Sequence, residues 1–300
     1  MPRILNRVVG LVLAVAATMV AMVAGQSTPP RAPENGHYAR LAALDAAPTP
    51  ARVKLDALNF PLDRWGDLYN WKLVKPHYVT VPLDAFTAVK PPANSSAQTR
   101  AELDYLLGLQ KDRTEQEHAW CVKLADIYHH PLLSNPADPR YRPNRDNLFF
   151  LGRDLGPGFR QDNLPKTTEL LARVYRDAMI YIVELKLRYA RPRPHHLEPR
   201  IKADDKSIPH ASFPSGHSFA SYINAGVLSR LAPAKRSDLL AKAHELAWSR
   251  ELLGVHYPSD TEAGRVLAGD FGRFLFESTD FVREFEAVQR EWQNRSVANQ

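Results

Sequence analysis

Three short segments of this 300-residue chain concentrate side chains suited to handling an anionic group. The first is Lys186 followed by Arg193-Pro194. The second is Pro214-Ser215-Gly216-His217. The third is Ser249-Arg250, with His256 six positions after Arg250 and Asp260 four positions after His256. Pro-Ser-Gly-His at the opening of a helix exposes backbone N–H groups to an anion, and Gly216 lets the backbone come close. His217 would then stand beside that anion with a titratable proton. Asp260 can reach one imidazole nitrogen of His256, which fixes the tautomer and frees the other nitrogen as a nucleophile. Lys186, Arg193 and Arg250 supply three cations. Phosphoryl transfer needs charge neutralised on three equatorial oxygens and an in-line nucleophile. Fixed cations can take that part without a metal ion.

These segments require helices that end where the chemistry begins. Apolar periodicity predicts a helix from about 166 to 190, stopped by Pro192 and Pro194. A second runs from Ser215 to the residue before Pro233. A third spans about 234–253 and is closed by Gly254. A fourth opens at Pro258-Ser259-Asp260 and reaches about Phe276. All three chemical segments therefore fall at helix termini. Upstream, Leu103, Leu106 and Leu107 mark one helical face, and Trp120, Leu124, Ile127 and Tyr128 another. The Pro-, Gly- and Asn-rich stretch 129–165 reads as a long loop region. Strand patterns are almost absent, so the expected fold is an all-α helical bundle. Residues 26–98, rich in Pro and Ala, read as a lead-in and irregular segment packed on a catalytic domain of residues 99–300.

The set K-x6-R-P, P-S-G-H and S-R-x5-H-x3-D resembles the three motifs of the phosphatidic acid phosphatase type 2 superfamily. Within it, Ala211-Ser212-Phe213-Pro214-Ser215-Gly216-His217-Ser218 is similar to the G-S-Y-P-S-G-H-T signature of the bacterial class A nonspecific acid phosphatases. It departs at Ala211, Phe213 and Ser218. Pro91-Pro92-Ala93-Asn94-Ser95-Ser96 resembles a segment those enzymes carry upstream. The resemblance implies an acid phosphatase in which His256 attacks phosphorus and becomes phosphohistidine while Asp260 orients it. His217 would protonate the leaving alkoxide and then deprotonate water. Lys186, Arg193, Arg250, Ser215 and the Gly216 amide would grip the phosphoryl oxygens. It implies no cofactor, with vanadate binding the same pocket as an inhibitor, and some phosphotransfer to alcohols. With both histidines near the reference pKa of about 6.5, a bell-shaped profile at mildly acidic pH follows. Two neighbouring activities fit the same motifs: a lipid or isoprenoid phosphate phosphatase, and a vanadium haloperoxidase. A non-catalytic anion-binding protein is a further reading, opposed by the filling of every catalytic position.

Composition narrows the setting. The chain is 44% hydrophobic and 24% charged, ordinary for a globular protein. Arg3 and Arg7, the uncharged run from Val8 to Ala24 and the small residues after it have the layout of a secretory signal peptide over residues 1–25. An uncleaved anchor is the alternative. The expected location is periplasmic or secreted, with no stable membrane insertion after cleavage. Loss of the two arginines takes the net charge from +6 to +4. No dense basic block with interleaved aromatics points to nucleic acid, so small phosphorylated substrates are the expected partners. Nothing in the sequence opposes a homo-oligomer. Cys121, the one cysteine, sits in an apolar stretch and reads as core. His129-His130 and His195-His196 lack carboxylate or cysteine partners at ligand spacing and read as loop or surface residues, with no metal site. Arg188 and Arg191 flank the first motif off its fixed positions. They read as surface charges or as supports behind the pocket. Asn94-Ser95-Ser96 is a formal glycosylation sequon.

Overall fold

A computed structural model describes residues 36–66, 71, 73–86, 89–204 and 208–298. The signal-like segment 1–25 lies outside the described residues. Helices make up the regular structure, and no strand occurs among the described residues. In chain order they are α1 (Gly36–Ala42), α2 (Ala97–Asp112), α3 (Glu115–Ala125), α4 (Tyr141–Asp146), α5 (Pro165–Tyr189), α6 (Pro194–Leu197), α7 (Gly216–Leu231), α8 (Arg236–Leu252), α9 (Pro258–Glu277) and α10 (Thr279–Ala298), with short 3-10 turns between them.

Helix α5 is the central rod. Pro165 at its first position costs no hydrogen bond, because the first N–H groups of a helix are unsatisfied in any case. Two of those orphan donors, Lys166 N and Thr167 N, reach the Glu291 carboxylate of α10 at 2.9 and 3.0 Å. Ile180, Ile182, Val183 and Leu185 are buried around α5 in one core cluster with Phe219 of α7 and Phe271 and Leu275 of α9. Asp177, a charge inside this buried helix, accepts from the backbone N–H groups of His77, Tyr78 and Val79 at 2.7, 2.6 and 3.1 Å. That contact ties the irregular segment to the core, to which Phe60, Trp65, Tyr78 and Phe86 also contribute.

Three differences from the sequence reading stand out. The chain continues past Phe276 into α10, which places Phe281, Phe285 and Val288 in the core at helical spacing. The 129–165 stretch contains α4 and two 3-10 turns. The lead-in contains α1, whose Tyr38 donates to the buried Glu251 of α8 at 2.6 Å. Cys121 is fully buried in a small cluster with Trp248 and Leu252, as its apolar context suggested.

The helix ends set up the site. Helix α5 stops at Ala190, which takes a left-handed conformation (φ 40°), and the backbone is extended at Arg193. Helix α8 stops before Gly254 (φ 68°), where a side chain would also press on Ile201 at 2.8 Å. Helices α7 and α9 cross so closely that a Cβ on Gly264 would lie 2.8 Å from Ser215 O. Their two N-termini are thereby brought side by side.

Candidate active site

His256 and Asp260 frame the opening of α9, with Pro258 at its first position. Asp260, in the first turn, is favoured there by the helix dipole. Its Oδ2 accepts from Tyr257 N (3.1 Å), Ser212 Oγ (2.5 Å) and His256 Nδ1 (3.1 Å), and its Oδ1 from Arg191 Nη1 (2.8 Å). Burial alone would push this carboxyl up. Arg191, His256 and the Ser212 hydroxyl outweigh it and hold Asp260 well below the usual carboxylate range. An ionised Asp260 makes His256 Nδ1 the donor, so the lone pair sits on Nε2. That nitrogen accepts from Arg193 Nη1 at 3.1 Å and lines the cavity. Burial, then the nearby Arg193 charge, drive the His256 pKa well down, only partly offset by Asp260. Burial and Arg193 thus favour the neutral imidazole over the charged one.

The cavity has a volume of about 660 Å³ and is lined by Lys186, Arg193, Gly216, His217, Arg250 and His256. Lys186 Nζ, at the end of α5, donates to Ala211 O (2.7 Å) and Ser212 O (2.9 Å), leaving its third N–H for a ligand. Burial and the neighbouring Arg193 lower its pKa well below that of a free lysine. Arg193 is spread over Val255 O (2.7 Å), His210 O (3.1 Å) and His210 Nδ1 (2.9 Å) as well as His256. Arg250, 6% exposed, comes from the last turn of α8. Ser215 caps α7 by accepting from Ser218 N at 3.4 Å, and it is fully buried behind the pocket wall. Gly216 and His217 open α7 with their N–H groups at the positive end of the helix dipole.

His217 Nε2–H donates to Ala125 O, in the last turn of α3, at 3.0 Å, and its ring stands 4.8 Å from that of Tyr128. Burial, then Arg250, push its pKa well below 6.5. The two histidines therefore do not titrate near the reference value: burial lowers both, joined by Arg250 and Arg193 at His217 and by Arg193 and Lys186 at His256.

All eight sequence-derived site residues converge here, six on the cavity and Asp260 and Ser215 directly behind it. The other singled-out residues divide. Arg188 is a surface charge paired with Asp84 at 2.7 Å. Arg191 is a support behind the pocket, with a side chain 1% exposed. His129 is in a loop but buried, donating from Nδ1 to Asn144 O at 3.0 Å. His130 lines the cavity. His196 accepts from Arg193 N at 3.2 Å, and His195 packs on His196. Asn94 of the sequon donates to Leu55 O and Leu58 O, each at 3.0 Å. Glu102, Ser212 and His210 were missed: Ser212 lies within the signature block itself, whereas nothing local in the sequence marks Glu102 or His210. Among the described residues no cluster of three His, Cys, Asp or Glu side chains is placed to hold a metal ion, and no helix is long and apolar enough to cross a membrane.

Residues 170–283 match the PAP2 superfamily. The chain is 28% identical over 143 residues to a non-specific acid phosphatase of Providencia stuartii, covering 46% of this chain and 58% of that protein. It is 30% identical over 125 residues to a non-specific acid phosphatase of Salmonella typhi, covering 40% and 50%. The chain thus spans about half the length of these relatives. Among solved structures, a bacterial vanadium-dependent iodoperoxidase superposes with a TM-score of 0.51 at 18% identity, covering 84% of this chain and 63% of that one. The apo form of a bacterial vanadium-dependent chloroperoxidase gives 0.51 at 11%, covering 74% and 56%. At these identities the two structures speak to the fold alone, and it is the same all-α fold. The match to the PAP2 superfamily, over residues 170–283, takes in all three motifs.

Proposed function

We propose that this protein is a metal-independent acid phosphatase that hydrolyses soluble phosphate monoesters through a phosphohistidine on His256. The observation that carries the reading is the polarity of His256. Its Nδ1 donates to an ionised Asp260, and its Nε2 accepts from Arg193 Nη1 in a side chain that lines the same cavity as Lys186 and Arg250. The named activity of the relatives, non-specific acid phosphatase, supports it.

In the first step Nε2 attacks phosphorus, the N–P bond forms and the P–O bond to the alcohol breaks. His217 gives its proton to the departing oxygen. In the second, water attacks phosphorus, His217 takes its proton, and the N–P bond breaks to release inorganic phosphate and neutral His256. An alcohol in place of water gives phosphotransfer. Burial and Arg250 disfavour a charged His217, so its proton is best supplied together with an anionic substrate. A phosphomonoester, with a second pKa near 6, brings both a proton and the negative charge that stabilises a histidinium. Acid conditions then favour the protonated His217 while His256, held low, stays a free nucleophile. Vanadate, which adopts the same geometry, should inhibit competitively. The basic, apolar and small-residue layout of positions 1–25 supports export to the periplasm or medium.

Hydrolysis of an aryl phosphate by the mature chain between pH 4 and 8, with excess chelator, tests this. Chelator-resistant activity that disappears in His256→Ala supports the reading. Folded protein with no hydrolysis at any pH contradicts it.

A further inference from the structure

Behind His256 three buried charges alternate in sign, Glu102, Arg191 and Asp260, and Arg193 stands on the other side of the ring. Side-chain exposure is 0% for Glu102 and Asp260 and 1% for Arg191. Arg191 Nη1 donates to Asp260 Oδ1 and Ser259 Oγ, both at 2.8 Å. Its Nη2 donates to Glu102 Oε2 at 3.1 Å and Thr99 Oγ1 at 3.2 Å, and its guanidinium lies 3.7 Å from the centre of the Tyr257 ring. Glu102 also accepts from Ser259 N (2.8 Å) and Ser259 Oγ (2.9 Å). Burial pushes the Glu102 carboxyl up, yet its Arg191 and Ser259 partners all point donors at it, the arrangement of an acceptor.

We propose that Arg191, held by Glu102, is a positioning residue that sets the tautomer and acidity of His256 through Asp260. By occupying Oδ1, Arg191 turns Oδ2 toward His256 Nδ1, and its charge keeps Asp260 ionised where no water reaches. Glu102 fixes the far end of the guanidinium fork. It also offsets one positive charge in a neighbourhood that already holds Lys186, Arg193 and Arg250. The groups facing Asp260 are then Arg191, Glu102, His256, Tyr257 and Lys186. Removing Arg191 alone would leave two buried carboxylates side by side, one of which must take a proton. The kinetic part of this inference rests on the phosphohistidine reading; the acid–base part does not.

The test uses the full mature chain and two readouts, the pH profile of kcat on an aryl phosphate and the titration of His256 followed by 15N NMR without substrate. The double variant Arg191→Met with Glu102→Met removes the pair without orphaning either charge. Its His256 titration and the acid limb of kcat should move up by about one pH unit or more. Its kcat should fall by about 100-fold with KM within about threefold. Arg191→Lys keeps the charge but loses the fork, so the titration stays and kcat falls by about 10-fold. Glu102→Gln, almost the same shape, should move the His256 titration in the opposite direction, downward, and gives a reading even if the double variant does not fold. An unmoved His256 titration in folded double variant or in Glu102→Gln overturns the proposal. If the phosphatase reading is at fault, wild type turns over no ester while the NMR shifts persist.

Discussion

His256 and Asp260 sit four residues apart at the mouth of α9, with His256 Nδ1 3.1 Å from Asp260 Oδ2. The spacing spans the junction between an extended residue and the first helical turn, so the carboxylate folds back beneath the ring. Asp260→Asn keeps the shape but replaces an ionic acceptor with an amide that can flip to donate. The expected result is a kcat lower by about 10³–10⁴-fold with KM changed only a few-fold, since the wrong tautomer disables the nucleophile but leaves the cations that bind phosphate. Steady-state kinetics on one aryl phosphate decides it.

The two glycines at the α7–α9 crossing should part company. A Cβ on Gly216 meets only Tyr128 Oη at 3.6 Å and Ile182 Cγ2 at 3.8 Å, ordinary contacts within the protein. Gly216→Ala should therefore melt within about 2 °C of wild type yet lose about 100-fold in kcat/KM, because the methyl stands between the backbone and the phosphate. On Gly264 a Cβ would meet Ser215 O and Ser218 Cβ at 2.8 Å. Gly264→Ala should cost about 1–3 kcal/mol by forcing the helices apart. Thermal melts and kinetics on both variants separate binding from packing.

Stability should depend on pH in a way that phosphate corrects. His129, His210, His217 and His256 all have pKa values lowered by burial, His129 to about 4. A folded pKa below the unfolded value means the unfolded chain binds more protons in acid. Stability is therefore full above about pH 6.5 and falls as the pH drops below it. His129 alone accounts for a loss on the order of 3 kcal/mol by pH 4. A bound phosphate dianion neutralises the cation ring and lets the pocket histidines charge in place. The rise in Tm given by inorganic phosphate should thus grow between pH 7 and 5. A rise that stays constant across that range would contradict it.

What the sequence disclosed depended on whether a feature was local. The helices α5, α7, α8 and α9 begin and end within a few residues of where Pro, Gly and Ser placed them, because caps and breakers act over one turn. The pocket residues were legible because each lies at such a terminus. Glu102 was not, since it arrives from α2 across a loop closure of more than 150 residues to meet Ser259. Arg191 carried a partial signal: it stands two positions before Arg193, so a second arginine near the site could be read from the Arg-Pro-Arg spacing. The lowered histidine pKa values came from burial and summed charge, neither of which a reference value contains. Helix α10 was overlooked although Phe281, Phe285, Val288 and Trp292 repeat at helical spacing.

The most direct measurement is a rapid-quench experiment with a 32P-labelled aryl phosphate on wild type, His217→Ala and His256→Ala. The expected result is acid-labile label, approaching one phosphoryl group per chain in His217→Ala where water attack is slowed, mapped to Nε2 of His256 and absent from His256→Ala. Hydrolysis that proceeds with no trapped label in any of the three, or label on a residue other than His256, would contradict a phosphohistidine pathway.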